Sequence, residues 1–423
     1  MRILSDLTPK KLVRALQSNH RDWSIRCARA RQVPIGRDDG LVWTSGETVN
    51  ILFPLLKARA VEQTLTRVLR RIGGCHIQCE LGPACSPRNL QARLLGHGFT
   101  LPTHSLAGMA CILGEVKEPK LGLSEIRVEA ASDISIYDSH RHPFQSGTDW
   151  GKVAIALSNS RPQRVWHFFA WVDDIPVGSA SLLMASGVAG IYCVGVLPEY
   201  RRRGIGAEVT AAACRFAADL GLEAAVLTAS PQGQSPYRRV GFKEICRVEE
   251  SDLSVEAQQN EPLTAEQKEI FLTIGDGRFA EVRSVLSKNS EMIRLQNQSG
   301  VGLLDEAAYL KQVDIAEWLF EQGVIMNPIT AHELGWEERI PEMAKTRPSI
   351  VSRKVGNLSP LHIAILRRDT GEIRDMKLVR ILVECGADLT TVDDQHHSTP
   401  LGWAQAFNDE EAIEFLRSQG SPC

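Results

Sequence analysis

No stretch of this 423-residue chain approaches 18 consecutive apolar residues, and the opening Met1, Arg2, Ile3, Leu4, Ser5, Asp6, Leu7 holds no long apolar region. Neither a membrane span nor a secretory leader is expected, so the chain reads as cytoplasmic. Cysteine is sparse: ten residues, scattered and mostly in apolar contexts, which excludes a disulfide scaffold and suggests reduced core thiols. The one cluster, Cys75, Cys79 and Cys85 with His76 beside it, lacks C-x-x-C spacing, and no metal site is expected. A large net charge is missing too, at −3. Residues 1–120 are basic and the chain beyond 250 is acidic, an uneven balance that argues against a nucleic-acid binder spanning the whole molecule.

What is present is ordinary globular material, 43% hydrophobic and 23% charged, in a chain long enough for two to four domains. Three blocks stand out. In the middle one, 123–250, strands and helices alternate: strands at 124–129, 165–172, 176–184, 190–197 and 224–229, helices at 131–138 and 205–220, and a short helix ending before Val240, Gly241 and Phe242. The first block, 1–118, reads as a faded copy of it. Its strand near Glu80–Leu81 leads to a short helix and then Gly98-Phe99, as 224–229 leads to a short helix and Gly241-Phe242. A polar stretch at 251–263 reads as a linker. The third block, 264–423, reads as a helical repeat array of about five units. Ser359-Pro360-Leu361-His362-Ile363-Ala364, Thr399-Pro400-Leu401-Gly402-Trp403-Ala404 and Gly386-Ala387-Asp388 resemble the opening and closing motifs of ankyrin repeats.

The most informative segment is Val194-Gly195-Val196-Leu197-Pro198-Glu199-Tyr200-Arg201-Arg202-Arg203-Gly204-Ile205-Gly206, an apolar strand passing through a Pro turn into a basic, glycine-punctuated helix start. A helix N-terminus leaves backbone N–H groups free and carries partial positive charge, so it suits an anion. Gly204 and Gly206 remove the Cβ atoms that would hold a phosphate away, and the arginines add charged donors. The order V-x-V-x-P-x-x-R-x-x-G-x-G resembles motif A of the GNAT acyltransferases, and the resemblance extends over the whole middle block. It implies an α/β architecture of two GNAT-like mixed-sheet domains in tandem, the first without a glycine loop and non-catalytic, followed by the all-α ankyrin array.

The resemblance also implies chemistry. Acetyl-CoA would be the co-substrate, its pantetheine pairing with the edge of Val194, Gly195 and Val196, and its pyrophosphate facing Arg201, Arg202, Arg203, Gly204, Ile205, Gly206 and Ala207. Tyr237 occupies the position of the tyrosine that protonates the leaving thiolate, a role its phenol suits. Ser230 stands where the family often has an asparagine that contacts the cofactor. The strand Ile191-Tyr192-Cys193-Val194 lacks the glutamate some relatives use as a base. His140 and His142, near Asp138 and Asp149, are candidates on the acceptor side. Cys193 reads as a small strand filler, since the family transfers the acyl group directly in a ternary complex. The expected activity is acetylation of a primary amine on a small molecule, with a role in detoxification or self-resistance. Alternatives are a protein acetyltransferase whose repeats recruit a protein partner, and a scaffold that binds acyl-CoA without turnover.

Overall fold

The structure is a computed structural model that describes residues 3–102, 105–120, 126–131, 150–355, 358–369, 373, 376–393, 397–407 and 409–421. Among these residues eleven strands occur: β1 (Ile35–Asp38), β2 (Leu41–Ser45), β3 (Thr48–Leu52), β4 (His76–Leu81), β5 (Ser105–Ile112), β6 (Arg127–Ala130), β7 (Val165–Val172), β8 (Ile175–Ala185), β9 (Val188–Val196), β10 (Ala224–Ala229) and β11 (Lys243–Leu253). They form one sheet in the order β1-β2-β3-β4-β11-β5-β10-β9-β8-β7-β6. The hairpin between β7 and β8 turns at Asp173 and Asp174, both at positive φ, the conformation a tight hairpin needs and Asp tolerates.

The centre of this sheet is an exchange. The strand after Gly98-Phe99, β5, leaves the first block to pair antiparallel with β10. The strand after Gly241-Phe242, β11, leaves the middle block to pair antiparallel with β4. The two exchanged strands pair with each other. Each block therefore supplies a strand to the other, and the sequence boundary near 118–123 is no boundary in the sheet.

Helices cover both faces. In the first block α2 (Val61–Ile72) and α3 (Leu90–Gly96) pack through Val61, Leu65, Val68, Leu90 and Leu94 onto Ile51, Ile77, Cys79 and Leu81. The long α1 (Pro9–Ala30) crosses to the opposite face of the middle block. There its Leu12 and Leu16 meet Val188, Ala224 and Val226, and its Trp23 meets Trp150 of α4 (Trp150–Ser158). On the other face lie α5 (Ile205–Asp219) and α6 (Pro231–Val240), the alanines of α5 closing down on Ala180, Leu182, Ala189 and Ala225. The segment expected as a linker is ordered: residues 251–253 finish β11, Ser254 caps α7 (Val255–Gln259) by accepting from Ala257 N at 3.0 Å, and Leu253 and Ala257 are buried against the first block. Burial of two apolar side chains after a capping serine overrides the polar composition that suggested a loop.

Beyond it stand five helix pairs: α8 (Ala265–Gly275) with α9 (Phe279–Lys288), α10 (Leu303–Tyr309) with α11 (Val313–Glu321), α12 (Pro328–Glu333) with α13 (Ile340–Thr346), α14 (Pro360–Asp369) with α15 (Lys377–Glu384), and α16 (Pro400–Phe407) with α17 (Glu410–Ser418). One continuous apolar core joins them, and Leu95 of α3 belongs to it. Asn297 Nδ2 donates to the Leu95 and Phe99 carbonyls at 2.9 and 2.8 Å, so the array is bolted to the first block. Because β10, β5, β11 and β4 alternate in direction, β9 and β10 end on the sheet edge where β4 begins and β11 ends. The array follows that edge from α3 to Glu410, which lies 3.7 Å from Arg202. Between it and the sheet is a groove of about 710 Å³, lined by His76, Gln78, Glu250 and Asp252 on one wall and by Arg347 and Arg353 on the other. Among the described residues no helix is long and apolar enough to cross a membrane.

Candidate active site

Parallel neighbours β9 and β10 pair only at Ala189–Ala225 and Gly190–Val226 among the described residues. Past that point they diverge, and residues 188–191 of β9 are buried whereas 192–196 are partly open. The cause is local. The register of β8 against β9 shifts between Ser179 and Ser181, opposite Cys193, which sits at a left-handed φ of 51°. A bulge of this kind adds a residue and turns the strand away from its neighbour. The backbone of Val194, Gly195 and Val196 is thereby left without a ladder on the β10 side.

The strand then runs through a short turn to the N-terminus of α5. Gly204 caps that helix at φ 86°, where a side chain would be strained, and the N–H groups of Ile205, Gly206 and Ala207 have no intrahelical acceptor. The three arginines divide their roles. Arg201 Nε donates to the Val196 carbonyl at 3.2 Å and fastens the turn. Arg203 lies over the Tyr200 ring at 5.4 Å. Arg202, at φ 64°, projects to Glu410 with 90% of its side chain exposed.

Tyr237 enters from α6 on the same face of the sheet as α5. It is buried, its ring 6.0 Å from Phe242, and burial followed by the nearby Cys193 pushes its phenol above the ordinary value. The proton is held at neutral pH, as a donor to a thiolate needs. A Cβ on Gly233 would stand 2.9 Å from the Tyr237 ring, so only glycine lets the ring lie there. Ser230, a candidate for contact with the cofactor, is the N-cap of α6, with Gly233 N donating to its Oγ at 3.4 Å. Asp138, His140, His142 and Asp149 lie outside the described residues.

Sequence reasoning missed a buried polar row on the opposite, α1 and α4 face of the splay. His167 Nδ1 of β7 lies 2.8 Å from Ser181 Oγ of β8, beside the register shift at which β9 carries Cys193. His167 is 2% exposed and Ser181 1%. Burial pushes the Cys193 thiol well up, so it keeps its proton. The available signal was parity: Ser179, Ser181 and Leu183 alternate onto the face that holds Val165, His167 and Phe169. The Cys75, Cys79, Cys85 and His76 cluster is split, with Cys79 in the core and His76 Nε2 2.9 Å from Asp252.

Residues 132–242 match the family model described as "Acetyltransferase (GNAT) family", a span that contains the splay, the glycine turn and Tyr237. No curated protein matches the chain. Among solved structures it is similar to a GCN5-related N-acetyltransferase from Kribbella flavida, at 17% identity and TM-score 0.44 over 56% of this chain and 95% of that one. It is likewise similar to a GCN5-related N-acetyltransferase from Sphaerobacter thermophilus, at 15% and 0.41 over 60% and 95%. A tandem GNAT protein from the clavulanic acid biosynthesis pathway gives 11% and 0.41 over 60% and 97%. The family model identifies residues 132–242 as a GNAT acetyltransferase domain.

Proposed function

We propose that the protein transfers an acetyl group from acetyl-CoA directly to a primary amine of a small molecule, in the splay between β9 and β10. The observation carrying this reading is the coincidence of three features at one place: an unladdered strand edge, a glycine-capped helix N-terminus beyond it, and a buried protonated tyrosine beside it. The edge of Val194–Val196 offers amide partners to pantetheine, and the α5 N-terminus offers N–H groups and positive potential to a pyrophosphate. Tyr237 supplies the proton that the departing thiolate requires. The first block acts as a degenerate, non-catalytic copy, and the exchanged strands make it a scaffold for the second. In the third block, Ser359 and Thr399 at the starts of α14 and α16 and the His362 Nε2 contact to the Ser398 carbonyl, 36 residues on, support the ankyrin reading. Calorimetry of the full chain with acetyl-CoA, followed by CoA-thiol release in the presence of simple amines, tests the proposal. Absence of acetyl-CoA binding would overturn it.

A second reading, acetylation of a protein, is favoured by one observation: the 710 Å³ groove opens along the sheet edge on which the splay ends. Its sheet wall carries Glu250 and Asp252 and its array wall Arg347 and Arg353, charges that suit a polypeptide of mixed sign. Under this reading, reversing Arg347 and Arg353 to Glu raises KM for the protein acceptor and leaves acetylation of a small amine intact.

A further inference from the structure

One face of the first half's sheet is polar across three adjacent strands. Side chains alternate along a strand, so Thr48 and Asn50 of β3, His76 and Gln78 of β4, and Glu250 and Asp252 of β11 share the face opposite the one that packs on α2 and α3. These six form the sheet wall of the groove. Their own hydrogen bonds leave acceptors over. Asp252 Oδ1 lies 2.9 Å from His76 Nε2 and Glu250 Oε2 accepts from Gln78 Nε2 at 2.9 Å, while Asp252 Oδ2 and Glu250 Oε1 meet no donor among the described residues. Glu80, paired with Glu250 across the strands, keeps a buried Oε2 without a partner, and its Oε1 lies 3.7 Å from His20 Nε2. Among the described residues no Lys or Arg stands within ion-pair distance of these three carboxylates. Burial, then the charges of Glu80 and Asp252, pushes the Glu250 carboxyl up to about 7, as befits an acidic wall that lacks a counter-cation.

The facing wall has the opposite surplus. Arg347 and Arg353, between α13 and α14, are exposed on it, and their guanidinium groups have no hydrogen-bond or ion-pair partner among the described residues. The array also lends the groove apolar surface: Ile325, 54% exposed, and Trp403 and Phe407 of α16, whose rings meet edge to face at 5.6 Å.

We infer that this groove binds a free peptide of tripeptide length, its N-terminal ammonium on Glu250 and Asp252, its C-terminal carboxylate on Arg347 and Arg353, and an apolar side chain against Trp403 and Phe407. The site is separate from the splay and does not rest on the acetyltransferase reading. Its size fits: a tripeptide extends about 10 Å at roughly 3.3–3.6 Å per residue, and pockets of roughly 300–1,000 Å³ hold small ligands. The spacing of the charges selects the class. A single amino acid carries both charges on one carbon, too close together to address two walls, and a segment inside a protein carries neither terminal charge. The carboxylates offer acceptors to an ammonium and the arginines offer paired donors to a carboxylate. Amides of Asn50, Gln78, Gln296 and Gln298 along the groove can both donate to and accept from a peptide backbone.

The test is calorimetry of the full chain with alanyl-phenylalanyl-alanine, its N-acetyl form and its C-terminal amide. A pH of 7.5 lies above the Glu250 value of about 7 and below the usual α-amino value of about 7.7–8.0, so both charges are present. The free peptide should bind, and each blocked form should bind about 10-fold more weakly or worse. Arg347→Ala combined with Arg353→Ala, at exposed positions, should cost the free peptide about 10-fold and the C-terminal amide nothing further. Glu250→Gln should weaken the free peptide and spare the N-acetyl form. Blocked peptides that bind as well as the free one overturn the inference and leave the groove to internal segments of proteins. Equal losses for free and blocked peptides in the variants overturn the placement of the termini, and no binding of the free peptide at millimolar concentration overturns the site itself. Acetyl-CoA is absent throughout, so each of these results leaves the transferase reading untouched.

Discussion

The two halves of the sheet present the same local motif in two states. In the first, β3 and β4 run parallel and are laddered along their length, from Thr48–His76 to Leu52–Glu80. In the second, β9 and β10 are paired at two positions and then open. The chain after β3 passes through Phe53, Pro54, Leu55 and Leu56 into α2, whose N-cap Ala60 makes no side-chain cap, and Phe53, Leu56 and Val61 are buried. The chain after β9 passes through three arginines to a glycine cap with open N–H groups. One strand pair has spent its edge on itself and filled its turn with apolar side chains. The other keeps an unused edge and an unfilled helix end. The second half differs from the first by withholding hydrogen bonds and side chains that the same arrangement of strands and helix would otherwise use.

The sharpest way to break the comparison is to close the second turn. Gly204→Glu puts a Cβ at φ 86° and a carboxylate where an anion is expected, and acetyl-CoA binding by calorimetry should vanish while the protein stays folded, with the strain of about 1–3 kcal/mol lowering its melting temperature. Residual binding of comparable affinity would mean that the first half also holds the cofactor. Next in size is Tyr237→Phe, which keeps the ring over Gly233 and removes the donor. kcat should fall about 10²-fold with KM for acetyl-CoA nearly unchanged, and an unchanged kcat would leave Tyr237 a packing role.

Much of this contrast was legible beforehand because it lies in residue types. The glycines at 204 and 206, and their absence from 52–61, distinguish the halves by composition alone, and the strand at 224–229 was placed to the residue. The short-helix and Gly-Phe echo at 98–99 and 241–242 marks both exchanged strands. That they exchange was hidden, since pairing partners far apart in sequence leave no local trace. Ser230 was legible in a second way, since a serine before Pro231 is a helix cap by local rules, and it caps α6 here. His167 and Ser181 went unnoticed because a single His in an apolar strand reads as core until the register of β7 against β8 sets it opposite Ser181.

If the first half is scaffold, damage to its core should cost stability without touching the site. Leu65 is fully buried against Ile51 and Ile77, so Leu65→Ala should destabilise the protein by about 2–5 kcal/mol in urea titrations. The affinity of the folded protein for acetyl-CoA should be unaltered. A loss of affinity in step with stability would show that the second half depends on the first for more than its exchanged strand.

The smallest effect probes the polar face of the first half, where Glu80 of β4 and Glu250 of β11 sit directly opposite each other. Burial first, then the charge of Glu80 and Asp252, raises the Glu250 carboxyl from 4.5 to about 7, and burial raises Glu80 to about 7 as well. Both are acids that the folded state protonates more readily than the unfolded state does. Their favourable contribution is complete below about 4.5 and is lost as pH rises to about 7, beyond which the penalty is constant. Glu250→Gln keeps an oxygen for the Gln78 amide, which now donates to Glu250 at 2.9 Å, and removes the charge. The variant should be about as stable as wild type near pH 4.5 and more stable at pH 8, by about 1–3 kcal/mol shared with Glu80 through their coupling. Urea titrations at the two pH values give the comparison. A variant no more stable than wild type at pH 8 would mean that the groove beside Glu250 already hydrates or neutralises the carboxylate.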